Sequence, residues 1–360
     1  MKNLLTSLRG QGLVALDIGS SQTKIVVGRK KGAVLLIEQA YTINTPSHSL
    51  SDGKIIDSSK LAQGMGSFIK EKNLQNRNAV FTLESTLGVT REVVLPQAKE
   101  EEMAGMLAFE IQHVLPIDPG HYRIQSKLID TLETDGVKKA KFQAVALPLD
   151  LIEGYQQLAA EISLKPLALD LHANCVSKIL NAETMVNGQI SLREETVAVL
   201  DFGHSCSNLM VIQGGVLQFS RVISFGGREI NYSLINSFNL DYQEAEEKKL
   251  AIQESVQSDQ EYSGSALVSE VVLTTLNQWM KEIDRLFKYY TSRESGNGIH
   301  RILLMGESAY IPGICGHLTQ FFQVPAELIH EVSGIKRETE MADLRLPTYL
   351  NAIGALKRIK

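Results

Sequence analysis

Long apolar runs are missing from this 360-residue chain. No stretch approaches the ~18 residues needed to span a bilayer, so no transmembrane helix is expected. The first ten residues, Met1 to Gly10, lack the extended apolar core of a signal peptide. Leu4, Leu5 and Leu8 offer at most one amphipathic turn, and a frayed tail is expected there. Cysteine is scarce: Cys175, Cys206 and Cys315 lie far apart, with no paired spacing for zinc or a redox dithiol. The eight histidines contain no His-x-x-x-His pair, which argues against a His/Cys metal site. Excess positive charge is also absent. A net charge of −5 argues against a protein built to bind nucleic acid. These absences together predict a cytoplasmic protein.

What is present is a globular composition, 44% apolar and 21% charged, over a length that favours two domains. One pattern occurs twice. Asp17-Ile-Gly-Ser-Ser-Gln-Thr-Lys-Ile-Val-Val and Asp201-Phe-Gly-His-Ser-Cys-Ser-Asn-Leu-Met-Val both fit Asp-x-Gly-x-Ser-x-(Thr/Ser)-x-(Ile/Leu)-x-Val, and both follow an apolar run. Each reads as strand, tight polar turn, strand. A single copy is an ordinary surface hairpin, where Asp, Gly and Ser are expected. Two matched copies point instead to two similar domains that each present an acidic, glycine-containing turn.

Such a pair suits a phosphate ligand. Backbone N–H groups of a glycine turn, with Ser and Thr hydroxyls, form a donor nest for anionic oxygens. Asp17 and Asp201, each ending its first strand, are placed to hold Mg²⁺ directly or through water. Lys24, seven residues after Asp17, adds a positive charge.

Periodicity predicts a meander over 13–17, 24–29 and 33–41, a helix over 58–72 and a strand at Asn78–Leu83. A βαββα block follows over about 88–162: strand Val89–Leu95, a helix opened by Pro96 and Glu100 to Glu102, strands Tyr122–Leu132 and Val137–Leu147 around a Thr134-Asp-Gly136 turn, and a helix from Pro148. Strand Pro166–Asp170 then leads into a helix over 171–182. After the second hairpin come a strand at Arg221–Phe225, Gly226-Gly227, a helix over Glu229–Phe238 and an acidic, mobile-looking stretch over 241–263. A helix over 265–292 carries an apolar stripe expected to be core. Strand Arg301–Met305 ends at Gly306-Glu-Ser308, Pro312-Gly313 opens another helix, and a final helix over Thr348–Lys357 carries small residues suited to close packing.

In this order, the two hairpins, glycine-ended strand and small-residue terminal helix resemble the nucleotide site of the actin/Hsp70/sugar-kinase superfamily. Within it the chain most resembles the PilM family, through Gly12 to Ser21, Leu95-Pro96, Val114-Leu-Pro-Ile117, Gly226-Gly227, Ala245-Glu246-x-x-Lys249 and Leu350 to Ala355. The resemblance implies an α/β, actin-like ATPase fold: two RNase H-like domains around a nucleotide cleft, with an FtsA/PilM-type inserted subdomain. The implied division is 1–87 with 163–190 and 347–360 as subdomain 1A, 88–162 as the inserted 1C, 191–240 with 299–346 as 2A, and 241–298 as 2B. ATP and Mg²⁺ are the implied ligands. Gly19, Ser20, Ser21, Thr23 and Lys24 would form the first phosphate loop, and Gly203, His204 and Ser205 the second, with Gly226 and Gly227 beside them. Gly306, Glu307 and Ser308 would form the adenosine loop. Glu246 and Lys249 would line the ribose and adenine pocket, unless they belong to a solvated helical charge run. Asp170, or Asp201, is the candidate for orienting attacking water; the alternative for Asp170 is a helix N-cap. His204 and Glu307 stand where smaller residues are usual, so at most weak ATPase activity is expected.

The implied role is an ATP-binding, cytoplasmic component of the type IV pilus assembly platform, peripheral on the inner face of the cytoplasmic membrane. It would bind the cytoplasmic N-terminal peptide of a PilN-like bitopic membrane protein, in a groove involving the inserted subdomain, and link it to the pilus motor ATPase, with self-association possible. The alternatives are an FtsA-like division protein, for which the terminal membrane helix is not found before Lys360, and a small-molecule kinase of the same fold, for which no catalytic base stands out.

Overall fold

In the computed structural model both Asp-x-Gly hairpins form in the same register, Asp17 facing Lys24 and Asp201 facing Asn208. The structure describes residues 12–114, 118–134, 137–251, 264–292, 298–341 and 343–357. The N-terminal tail, the centre of the Thr134-Asp-Gly136 turn and Leu115-Pro-Ile117 lie outside them.

The first domain runs β1 (Leu13–Ile18), β2 (Gln22–Lys31), β3 (Val34–Asn44), β4 (Leu50–Ser51), β5 (Lys54–Ile55), α1 (Ser58–Glu71) and β6 (Asn78–Leu83). The inserted block is β7 (Val89–Pro96), α2 (Glu100–Val114), β8 (Tyr122–Thr134), β9 (Val137–Pro148) and α3 (Leu149–Glu161). The chain returns through β10 (Lys165–Leu171), α4 (His172–Ile179), β11 (Met185–Val186) and β12 (Ile190–Ser191). The second domain holds β13 (Thr196–Phe202), β14 (Ser207–Gln213), β15 (Val216–Ile223), α5 (Gly227–Phe238), α6 (Tyr242–Leu250), α7 (Gly264–Thr291), β16 (Arg301–Met305), α8 (Ile314–Phe322) and β17 (Ala326–Leu328). β18 (Ile335–Arg337) and α9 (Leu350–Leu356) complete the chain's elements.

The duplication extends beyond the hairpins. One sheet is ordered β10-β6-β1-β2-β3-β18 and the other β15-β14-β13-β16-β17. Each is an antiparallel three-strand meander whose first strand is extended by two parallel strands. Continuous apolar runs such as Thr196–Phe202 fit strands buried on both faces. Between the sheets lies a core that includes Val176, Ile179, Ile353 and Leu356 of α4 and α9.

Four boundaries differ from expectation. β18 joins the first sheet, pairing in parallel with β3, although 299–346 was expected wholly in the second domain. α6 is an ordered helix where a mobile stretch was expected, capped by reciprocal bonds between Asp241 and Glu244; residues 252–263 lie outside the described residues. The expected 2B segment has no core of its own among the described residues. α7 packs Val272, Trp279 and Ile283 onto the second sheet, with Trp279 stacked on Phe225 at 4.8 Å. Residues 346–349 form a short 3₁₀ turn before α9 begins.

The inserted block does carry its own small core. Ala144 and Ala146 pack one face of the sheet β7-β9-β8 against Leu107 and Ile111 of α2. Gln143 and Val145 alternate to the other face, which borders a groove of about 560 Å³ shared with Leu169 of β10 and Asn174 of α4.

Candidate functional site

The hairpins meet at a cleft of about 600 Å³ between the domains. Gly19, Ser20, Ser21 and Lys24 enter from the first domain, and Gly203, His204 and Ser205 from the second. The two turns touch, Ser20 Oγ donating to Ser205 Oγ at 2.8 Å. Gly306, Glu307 and Ser308 line the same cleft, as do Glu246 and Lys249 of α6. Gly306 has φ +88, and a Cβ there would stand 2.5 Å from both Asp201 Oδ1 and Phe202 O, so glycine is required.

Four candidates do not line the cleft. Thr23 faces the other side of its strand and bonds Thr45 Oγ1 at 2.9 Å. Gly226 and Gly227 pack behind the second turn, where a Cβ would meet His204 O at 2.5 Å and Ser308 Oγ at 2.4 Å. The first amides of α5 are accordingly spent on protein: Gly227 N–H donates to Gly203 O and Arg228 N–H to His204 O. Asp170 faces the groove beside the inserted sheet. Its carboxylate accepts from Lys178 Nζ at 2.8 Å, Asn174 Nδ2 at 2.7 Å and the Leu171 amide. Burial would raise its pKa, but Lys178 and these bonds hold it low. Asp170 is level with Asp17 in the sheet but two strands away, about 10 Å at ordinary strand spacing. Its carboxylate is turned to the groove, not to the cleft where it was expected to orient water.

His172, two residues on, takes the central place. Its Nε2 lies 2.9 Å from Asp17 Oδ1 and its Nδ1 3.7 Å from Asp201 Oδ2. Removal from water would lower its pKa, but the Asp17 carboxylate, with Glu84 and Asp201, carries it up to about 9. Asp17 responds oppositely: burial would raise it, and His172 holds it low. Asp201 keeps a raised pKa because burial outweighs the longer contact to His172. Glu84, at the end of β6, is pushed up to about 7 by burial, with His172 opposing; it accepts from Asn208 Nδ2 across the cleft. Asn351 of α9 donates to Asp201 Oδ2 at 2.8 Å.

Sequence reasoning missed His172, Glu84, Asn208 and Asn351. Signals were there to find. Glu84 directly follows an apolar parallel strand, Asn208 precedes the apolar run of β14, and Asn351 is the one amide side chain of the apolar α9.

At the far end of the cleft Lys249 is buried, its Nζ 2.9 Å from Glu246 Oε2, which also accepts from Asn231 Nδ2 at 2.6 Å. This pairing replaces the solvated charge run as the account of both residues. His204 Nε2 lies within hydrogen-bond distance of the Tyr242 hydroxyl, at 3.1 Å, and the ring is lowered to about 4 by burial and then by Lys249, so it is neutral near pH 7.

Two like α/β domains, each turning an acidic hairpin into one shared cleft, define an actin-like fold. Solved structures agree. The chain matches a PilM–PilN type IV pilus biogenesis complex with TM-score 0.79 and 20% identity, over 96% of this chain and 97% of that one. It matches MreB5 of Spiroplasma citri bound to ADP with TM-score 0.55 and 13% identity, over 96% and 95%. The ethanolamine utilization protein EutJ of Carboxydothermus hydrogenoformans gives 0.54 and 13%, over 95% and 88%. The family model for type IV pilus assembly protein PilM matches residues 15–359. The chain belongs to that family, and its role lies in type IV pilus assembly.

Proposed function

We propose that this chain is an ATP-binding component of the inner-membrane platform of the type IV pilus, which holds the cytoplasmic N-terminal tail of a PilN-like membrane protein and links it to the motor. The observation that carries the nucleotide reading is the convergence of both Asp-x-Gly turns, Lys24 and the Gly306 loop on one cleft. Ser20, Ser21 and Ser205 would bond phosphate oxygens, and Glu246 the ribose. MreB5, a fold relative, has been solved bound to ADP and to AMPPNP.

The residues also fit Mg²⁺ brought in on the phosphates. Asp17 and Asp201 are hard oxygen donors, and the described residues include no group of three or more His, Cys, Asp and Glu that would cage a metal by themselves. Beside them, Asn208 and Asn351 each keep a buried Oδ1 without a partner, which water of a hydrated cation would satisfy. Such a cation would neutralise phosphate charge, and Asp17 and Asp201 would hold its water shell. With Asp170 committed to Lys178 and His204 uncharged, hydrolysis would be slow.

The tail would lie in the groove between the open face of the inserted sheet and α4. β8 is an edge strand of its sheet and β15 an edge of the second, and both reach the groove. Free main-chain groups at such edges suit an extended peptide. A fold relative is a PilM–PilN complex.

The nucleotide reading is tested by calorimetric titration with Mg-ATP. Asp17→Ala and Lys24→Ala should each weaken binding, Lys24→Ala by ~1.5–3 kcal/mol for a charge-assisted bond. Turnover should stay well below the ordinary enzyme median of ~10 s⁻¹. Unchanged affinity in both variants would sink the assignment.

A further inference from the structure

Lys24 is nearly enclosed, its side chain 7% exposed, and its ion-pair partner Glu307 comes from the other domain. Its Nζ donates to Glu307 Oε1 and, at 2.6 Å, to Gln22 Oε1, and it stands 5.4 Å from the centre of the Tyr349 ring. Asp17 is its direct neighbour in the hairpin register, but that carboxylate is turned to His172. Glu307 immediately follows the constrained Gly306 and reaches into the cleft from its solvent side, 42% exposed. An anionic oxygen therefore already rests on the lysine of the phosphate loop.

We propose that the Glu307 carboxylate is an internal stand-in for a nucleotide phosphate. It holds Lys24 in the ligand-free protein and must be displaced when a nucleoside di- or triphosphate enters. The inference rests on the nucleotide reading of the cleft and adds a residue that sets its affinity. A carboxylate oxygen and a phosphate oxygen make the same kind of charge-assisted bond to an ammonium. Two features favour exchange over a permanent bridge. Glu307 is half-exposed, so water screens its side of the pair and its release costs little. The incoming phosphates carry more charge and meet additional donors on Ser20, Ser21 and Ser205. If the pair occupies Lys24 in ~9 of 10 ligand-free molecules, apparent affinity falls about tenfold. Because the pair joins residues of both domains, its exchange also removes a bond across the cleft.

The test is a calorimetric titration of the full chain with Mg-ATP and Mg-ADP. Wild type is compared with E307Q, E307A, K24A and the E307Q/K24A double variant. E307Q keeps the side-chain volume, and E307A guards against a new amide contact; circular dichroism checks the fold of each. Both single Glu307 variants should bind about tenfold tighter, and K24A should lose more affinity in the E307Q background than in wild type. The proposal is overturned if the Glu307 variants bind no tighter, or if K24A costs the same in both backgrounds. If neither wild type nor the variants bind either nucleotide, the nucleotide reading itself falls and this proposal with it. Wild-type binding that E307Q leaves unchanged removes only the stand-in.

Discussion

His172 shows how a single side chain can organise a cleft floor. Its ring faces Asp17, Glu84, Asp201 and Asn351, so a positive imidazole offsets carboxylates that would otherwise repel one another. The linkage has a definite sign. The folded pKa of about 9 is above the ordinary 6.5, so the stabilisation is complete below pH 6.5 and disappears as pH rises through 9. Glu84 adds to the trend. Its folded value of about 7 exceeds 4.5, so a penalty that is absent below pH 4.5 is complete above pH 7. The ligand- and metal-free protein should therefore lose stability from pH 4.5 upward to pH 9, with the His172 part, on the order of 3 kcal/mol at most, lost between pH 6.5 and 9. His172→Gln should lower Tm at pH 6 and flatten the profile above it. Thermal melts that decline in parallel for wild type and variant would refute this account.

At the scale of elements, the same Gly→Ala change should have opposite signs in two helices. Gly354 of α9 lies against α4, where a Cβ would meet Cys175 O at 2.1 Å and its carbonyl carbon at 2.5 Å. Backbone cannot swing aside as a side chain would, so Gly354→Ala should cost about 1–3 kcal/mol or more from overpacking. Gly64 of α1 has open space on that side, with nothing within 4 Å of where a methyl group would stand. Gly64→Ala should stabilise by up to about 1 kcal/mol through helix propensity and a less flexible unfolded chain. Urea unfolding midpoints compare the two directly. The close packing of the last helix was legible in its run of small residues, and the hairpins in their turn chemistry. α6 was less legible, because its buried positions, Ala245 and Lys249, give no apolar period, although Asp241 and Glu244 carry a cap signature. β18 left no local signal, since three residues pair with a strand about 300 positions away. Asp170 stands at a strand end as read, but local sequence does not reveal that its carboxylate turns to Lys178 and the groove.

At the scale of the molecule, the duplicated sheets make one cleft, and the unduplicated insertion makes a second concavity beside it. β10 and α4 separate the two: His172 serves the cleft, while Asp170 and Asn174 border the groove. A tail in the groove and a nucleotide in the cleft would thus press on opposite sides of one short segment, and any coupling must appear equally in both affinities. No helix among the described residues is long and apolar enough to cross a membrane, so attachment through a partner's tail is the reading to test. Leu128, 52% exposed, lines a concavity that adjoins the groove through the shared Lys127, Gln143 and Asn174, and is open to substitution without disturbing a core. Leu128→Glu should release the chain to the soluble fraction of its native host while leaving Mg-ATP affinity within a factor of about two, since an unpaired charge in an apolar peptide contact costs more than the roughly 1–3 kcal/mol of a neutral polar group. Deleting the PilN-like protein should release the wild type in the same way. Should the chain remain on the membrane after every pilus-platform membrane protein is deleted, attachment through a borrowed tail is wrong. A variant that stays bound while the deletion releases wild type would instead move the tail away from this groove.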